Sequence, residues 1–199
     1  MIMLMKRILC IIPTNGFLNP QCVKSWYDIK VPEGYEMDID YAVGYSVAQA
    51  RNRAARQALT EEYEYLLMID SDNIAPPNTL EILVKADSDI AHGWCLAYAD
   101  SNLTCVLHAE QNTPGYFTVY SDKDIPDGVF DIRASGMACT LVKTHVFKAM
   151  KHPYFVFTEY EMWGELGEDY YFQFNATKLG FRNVCCKELQ LGHVKTTLI

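Results

Sequence analysis

Between Ser46 and Ala86 the chain changes its hydrophobic rhythm twice, and this narrows the available folds more than any other feature. SVAQARNRAARQALTEEY, residues 46–63, is rich in helix formers and opens on Ser46, a candidate N-cap. Val47, Ala50, Ala54 and Ala58 lie along one narrow face of small residues that can pack closely on a sheet. YEYLLMID, 63–70, is a strand-length apolar run, and PPNTLEILVKA, 76–86, is helical again, its start marked by Asn78 or the prolines before it. Helix, buried strand and helix in direct succession predict an α/β domain with a mainly parallel sheet flanked by helices.

The rest of the chain follows the same alternation. RILCII (7–12) and EMDIDYAV (36–43) read as strands, with the turn-rich PTNGFLNP between them. DIAHGWCLAY (89–98) is another strand. GYFTVYSD (115–122) and VFDIRA (129–134) read as a more exposed, small antiparallel pair. ACTLVKTHVFKAM (138–150) passes from strand to helix. EDYYFQFNATKLG (168–180) is a helix closed by Gly180, FRNVCCKE (181–188) is a last strand, and LQLGHVKTTLI (189–199) is a tail. With 199 residues and no internal repeat, one domain spanning 1–199 is expected.

Composition removes several functions. A net charge of −8 argues against broad, sequence-independent binding of nucleic acid. In MIMLMKRILCIIPT the charges Lys6 and Arg7 follow the first apolar residues and no small-residue cleavage site comes after Ile12, so the segment reads as a first core strand rather than a leader. No stretch approaches the length of a membrane span. The seven cysteines are odd in number and contain no Cys-x-x-Cys, which fits free thiols in the core of a cytoplasmic protein better than disulfides or zinc.

The strand at 63–70 finishes on Asp70 and, one residue later, Asp72. In extended backbone, residues two apart point to the same side, so both carboxylates face one point at a carboxyl strand end, where open α/β sheets bind ligands. Two unneutralised carboxylates repel, and a hard divalent cation removes the conflict. The plainer reading is turn chemistry, since Asp-Ser-Asp-Asn followed by two prolines also favours a turn. Arg51, Arg53 and Arg56 cluster in an otherwise acidic chain, either as a solvated helix face or, at Arg51, as a nucleotide contact. Glu168 and Asp169 open a helix, where the dipole favours acids without any catalysis.

ARNRAARQAL…YEYLLMIDSDNIAPPNTLEIL resembles the nucleotide-sugar-dependent glycosyltransferases of the GT-A fold, especially the family-2-type group. Arg51-Asn52 matches the family's first element, and Asp70-Ser71-Asp72 its Asp-x-Asp motif. In ASGMACTLVKTHVFKAM, Gly136 falls in the strand that closes under the acceptor site. Glu168 and Asp169 match the Glu-Asp pair opening a late helix, and His193 in LGHVK matches the late histidine that joins the Asp-x-Asp on the metal. The resemblance implies a nucleotide diphosphate sugar, UDP- or GDP-linked, resting near Pro13, Thr14 and Asn15, with Arg51, Asp70 and Ser71 contributing. It implies Mn²⁺ or Mg²⁺ on Asp70, Asp72 and His193, and Asp169, or secondarily Glu168, as the base that takes the acceptor proton. It also implies inversion at the anomeric centre. The family's base-holding acid near the end of strand two has no clear match: Asp38 and Asp40 are the candidates, and Tyr41-Ala42-Val43 follows rather than the usual Asp-Gly-Ser type of turn.

PYFVFTEYEMWGELGEDYYF is dense in aromatics. Core packing explains most of them, but the setting of Trp163 among glycines and acids suits a loop that offers Trp163 or Tyr160 to an acceptor. A glycan, a lipid-linked sugar, a protein or a modified base in viral DNA would each supply the hydroxyl, with nucleic acid disfavoured by charge. The chain is short for the family, which leaves the oligomeric state open and a homo-oligomer that completes the acceptor site as one arrangement. Two other readings stand beside this one. A nucleotidyltransferase of related fold usually carries a glycine-rich loop after strand one, where PTNGFLNP has a single glycine. A degenerate transferase would bind nucleotide or glycan without turnover.

Overall fold

The computed structural model describes residues 5–99, 102–105, 107–110, 117–160 and 164–195. The amino-terminal half runs Lys6–Thr14 (β1), Pro20–Tyr27 (α1), Tyr35–Val43 (β2), Val47–Thr60 (α2), Tyr65–Ile69 (β3), Asn73–Ile74 (β4), Thr79–Lys85 (α3) and Ile90–Trp94 (β5). Five short strands follow: Leu96–Ala99 (β6), Asn102–Cys105 (β7), Leu107–Glu110 (β8), Phe117–Val119 (β9) and Val129–Asp131 (β10). The remainder is Ala134–Ser135 (β11), Cys139–Lys143 (β12), His145–Ala149 (α4), Thr158–Tyr160 (β13), Gly164–Leu166 (β14), Glu168–Lys178 (α5), Asn183–Gln190 (β15) and Gly192–His193 (β16).

Among the described residues the main sheet has seven strands in the order β10-β15-β5-β12-β3-β1-β2. β1, β2, β3, β5 and β15 run in one direction, while β12 and β10 run against it. β1 sits inside the sheet, so Ile8 through Ile12 are buried on both faces. Leu9 and Ile11 face a core shared with Ala50, Ala54 and Ala58 of α2, Phe147 of α4 and Phe172 of α5. Ile8, Cys10 and Ile12 face the opposite core, with Trp26 of α1 and Leu80 and Leu83 of α3. The expected helical layers on both faces of a mainly parallel sheet are present. Ser46 caps α2 in a reciprocal box with Gln49, as its sequence position predicts.

Four expectations are corrected. PTNGFLNP leads into α1, with Asn19 as cap accepting from the Gln21 N–H at 2.8 Å and Pro20 in the first turn. The stretch 89–98 is two strands, because the chain leaves the main sheet at Cys95 and β6 pairs with β7. Small antiparallel pairs are present as β6-β7 and β13-β14, but the strands at 117–119 and 129–131 do not form one, since β9 pairs with β8 and β10 with β15. Residues 189–193 are not a tail, since β15 runs to Gln190 and β16 then pairs antiparallel with β4. Cys10, Cys22, Cys139, Cys185 and Cys186 are buried in the core. Among the described residues no helix is long and apolar enough to cross a membrane.

Candidate active site

The carboxyl end of β3 is built from four directions. β12 lies antiparallel beside β3, and the Asp70 N–H donates to the Ala138 carbonyl at 3.0 Å, which draws Gly136 to the strand end. After Asp70 the chain turns, the Asn73 N–H donating to the Asp70 carbonyl at 3.1 Å. β16 folds back on β4 with His193 opposite Asn73, and the Val194 N–H donates to the Asp72 carbonyl at 2.8 Å. From below, α1 holds the turn: Trp26 Nε1 donates to the Asn73 carbonyl at 3.0 Å, and Ser25 Oγ accepts from the Ala75 N–H at 3.1 Å. A cavity of about 180 Å³ results, lined by Asp70, Asp72, Gly136, His193, Trp94 and Cys95 with small neighbours.

His193 Nδ1 faces the Leu96 carbonyl at 3.2 Å and Nε2 faces Asp72 Oδ2 at 3.1 Å. A carbonyl and an ionised carboxylate both only accept, so each ring nitrogen is the donor in its contact, and Nε2 would give up its hydrogen to hold a cation. Asp70 has a different partner. Arg51, on α2 and 2 % exposed, donates from Nη2 to Asp70 Oδ1 at 2.8 Å and from Nη1 to Glu168 Oε1 at 2.5 Å. The neighbouring Asn52 amide ties α2 to the segment before β13, accepting from the Tyr154 N–H at 2.8 Å and donating to the Phe155 carbonyl at 2.7 Å.

Asp169, beside Glu168 in the first turn of α5, accepts from the Tyr170 N–H at 2.8 Å. Burial pushes its carboxyl up to about 6, with Glu168 and Asp70 adding to the rise and Arg51 opposing it. Burial also raises Asp70, with Asp72 adding to it and Arg51 and His193 pulling the other way. One buried arginine thus stands among Asp70, Glu168 and Asp169, with Asp72 at the same strand end. The negative charge is under-compensated.

Asp72 and His193 are side chains of types that could hold a divalent cation. Asp72 and His193 present an oxygen and a nitrogen to one point, while Asp70 is engaged by Arg51. Among the described residues no group of three His, Cys, Asp or Glu side chains forms a complete metal cage.

The other expected site residues fall as follows. Ser71 is in the turn between Asp70 and Asp72. Pro13, Thr14 and Asn15 close β1 next to β2 and are not among the described residues lining the Asp72 cavity. There the Thr14 hydroxyl accepts from the Gly16 N–H and the Asn15 side chain from the Phe17 N–H, both at 3.1 Å. Glu168 is 5 % exposed and bonded to Arg51, while Asp169 beside it is half-buried. Asp38 accepts from the Tyr63 hydroxyl at 2.7 Å, and Asp40 from the Tyr41 N–H at 2.8 Å. Tyr160 lies on β13, its backbone paired with Gly164; Trp163 is outside the described residues.

Sequence reasoning leaves His92 unassigned, yet this fully buried residue centres a network behind the site. Asn183 Nδ2 donates to Gln173 Oε1, so Asn183 Oδ1 is the acceptor facing His92 Nε2 at 2.7 Å. His92 is therefore the neutral Nε2–H form, with Nδ1 accepting from Ser135 Oγ at 2.9 Å and Thr140 Oγ1 at 2.8 Å. Gln173 clasps Ser135 at both backbone groups and donates to the Asp169 carbonyl at 3.0 Å, which ties the first turn of α5 to the sheet. Burial lowers the His92 pKa to about 4. The unfolded chain binds this proton from about pH 6.5 downward and the folded chain does not, so stability falls as the pH drops from about 6.5 to 4. The loss attributable to His92 is on the order of 3 kcal/mol. An NMR titration of the His92 ring is expected to show a neutral imidazole down to about pH 4, and titration near pH 6.5 would contradict the assignment.

No protein-family model matches the chain, and no curated protein matches it. Solved structures do. The crystal structure of A197 from STIV superposes with a TM-score of 0.65 at 20 % identity, over 96 % of this chain and 86 % of that one. GalNAc-T7 crystallised with UDP, GalNAc and Mn²⁺ gives a TM-score of 0.63 at 11 % identity over 96 % of this chain, which spans 44 % of the GalNAc-T7 chain. S. aureus TarS 1-349 in complex with UDP-GlcNAc gives 0.55 at 13 % identity over 96 % of this chain, which spans 60 % of the TarS chain. Sheet order, helical layers and these superpositions together establish that the chain has a GT-A-like fold.

Proposed function

We propose that the chain is a glycosyltransferase, moving a sugar from a UDP- or GDP-linked donor to an acceptor hydroxyl with inversion at the anomeric carbon. The observation that carries this reading is the meeting of Asp72 and His193 at the carboxyl end of β3, with Asp169 across the same acidic centre. Asp72 and His193 would hold Mn²⁺ or Mg²⁺ against the donor diphosphate. When bound, the cation neutralises the charge that grows on the leaving diphosphate. Arg51 holds Asp70 and Glu168 fixed, so the strand end and the start of α5 keep their spacing during turnover.

Asp169 takes the proton of the acceptor hydroxyl as that oxygen bonds to the anomeric carbon and the bond to the diphosphate oxygen breaks. With its carboxyl raised to about 6, it is mostly ionised at neutral pH and a stronger base than an ordinary aspartate. GalNAc-T7 with UDP and Mn²⁺, and TarS with UDP-GlcNAc, support the donor class by sharing the fold. Product analysis after incubation with UDP- and GDP-sugars and Mn²⁺ tests the reaction type. Release of a nucleoside diphosphate is expected, and release of pyrophosphate would instead indicate nucleotidyl transfer.

A further inference from the structure

A cavity of about 600 Å³ opens where β10, the start of β15 and the end of α5 meet. Asn183 lines it and pairs with Ile90 at the amino end of β5, whereas Trp94, at the carboxyl end of β5, lines the Asp72 cavity. The two cavities therefore lie at opposite rims of the main sheet and share no described residue. Arg133, on the wall of the first, is a half-buried cation without a counter-ion. Its Nη1 donates to Thr177 Oγ1 at 2.9 Å, its guanidinium lies 4.9 Å from the centre of the Phe174 ring, and its Nε is enclosed without a hydrogen-bond partner. Among the described residues no acid pairs with it. A charge drawn out of water and left unpaired is costly, and a bound anion removes that cost.

The other polar groups of the wall restrict which anion fits. Asn183 and Thr177 are committed: the Asn183 amide to His92, Gln173 and the Arg133 carbonyl, and the Thr177 hydroxyl to the Gln173 carbonyl at 3.0 Å. Arg182 gives Nε to Asp131 Oδ1 at 2.8 Å, and its two terminal nitrogens have no partner among the described residues. Two arginines against one aspartate leave a single positive charge, in a chain whose net charge is −8. One negative charge balances it. A phosphomonoester, with about −1.5 to −2 at neutral pH, exceeds it. The planar fork of an arginine also matches a carboxylate. Phe181, Tyr120 and Ile132 supply the apolar part of the wall, two of them as flat rings.

We propose that this cavity is a second ligand site, for a small monocarboxylate with a flat apolar body, its carboxylate shared by Arg133 and Arg182 and its body against Phe181 and Tyr120. The site stands apart from the transferase reading and needs neither donor nor metal. Fluorine NMR on the full chain would use 4-fluorobenzoate as the probe, beside the neutral 4-fluorobenzamide and the more highly charged 4-fluorophenyl phosphate. The benzoate is expected to bind with a dissociation constant of about 1 mM, and about tenfold more tightly than either control. Arg182→Gln should weaken it about tenfold, through the loss of a charge-assisted hydrogen bond. Asp131→Asn should tighten it about threefold, because the acid that competes for Arg182 is gone. A purely structural role for these residues gives no such gain. The Arg182 and Asp131 side chains are 52 % and 73 % exposed, so both variants should melt as the parent does. The assignment is overturned if the benzoate does not bind, if either control binds as tightly, if Arg182→Gln binds unchanged, or if Asp131→Asn binds more weakly. Displacement of the probe by UDP or GDP with Mn²⁺ would also overturn it, by putting the probe in the Asp72 cavity.

Discussion

Replacing Arg51 by leucine is expected to destabilise the protein by about 3–5 kcal/mol and to lower its melting temperature by roughly 10 °C. The guanidinium is almost wholly buried and joins three elements: α2, which carries it, the end of β3 through Asp70, and the start of α5 through Glu168. Its Nη2 also approaches the Met137 carbonyl at 3.5 Å, and its Nε is buried without a hydrogen-bond partner among the described residues. Leucine matches much of the apolar stem but leaves the buried Glu168 and the half-buried Asp70 without their shared cation, and the buried acid carries most of the cost. Arg51→Lys should fall between the two, since one ammonium keeps the charge but cannot fork to two carboxylates held by different nitrogens. Thermal and denaturant melts read this directly. A shift of less than about 2 °C for the leucine variant would show that the triad contributes little to the fold.

Asp169→Asn is expected to act in opposite directions on activity and on stability. Turnover should fall by about 10²–10⁴, with nucleotide and metal binding retained, because the amide fills the same space but takes no proton. In the parent protein, turnover should decline as the pH falls through about 6, where Asp169 takes up a proton. Stability changes the other way. The folded state holds the Asp169 proton more tightly than the unfolded chain, so the parent loses stability as the pH rises from about 4 to 6. The asparagine variant escapes that loss and should be the more stable protein at neutral pH. A turnover within about tenfold of the parent would remove Asp169 from the role of base.

The backbone plan was legible because its signals are local. α2 has helix formers, a cap and a small-residue face, and β1 and β3 are apolar runs with no competing period. α1 escaped notice because eight residues carrying Cys22, Trp26 and Tyr27 show little helical propensity, and its cap sits inside a turn-rich segment. β16 escaped because two residues have no period at all; only the pairing with β4 makes them a strand. At the site, Asp70 and Asp72 were visible through their strand-end position. The division of labour between them was not. It depends on Arg51 reaching Asp70 from α2 and His193 reaching Asp72 from the end of the chain. The His92 network was invisible for the same reason, since its partners Ser135, Thr140, Gln173 and Asn183 come from four separate elements.

The central claim is that Asp72 and His193 form the metal and diphosphate end of a donor site. Calorimetric titration of the protein with UDP and with GDP, each with and without Mn²⁺, tests it most directly beside the Asp72→Asn variant. The account predicts binding of one of the two nucleotides that requires Mn²⁺ and is lost in Asp72→Asn. Binding of neither nucleotide in the presence of Mn²⁺, or binding that ignores both the metal and the substitution, would contradict it.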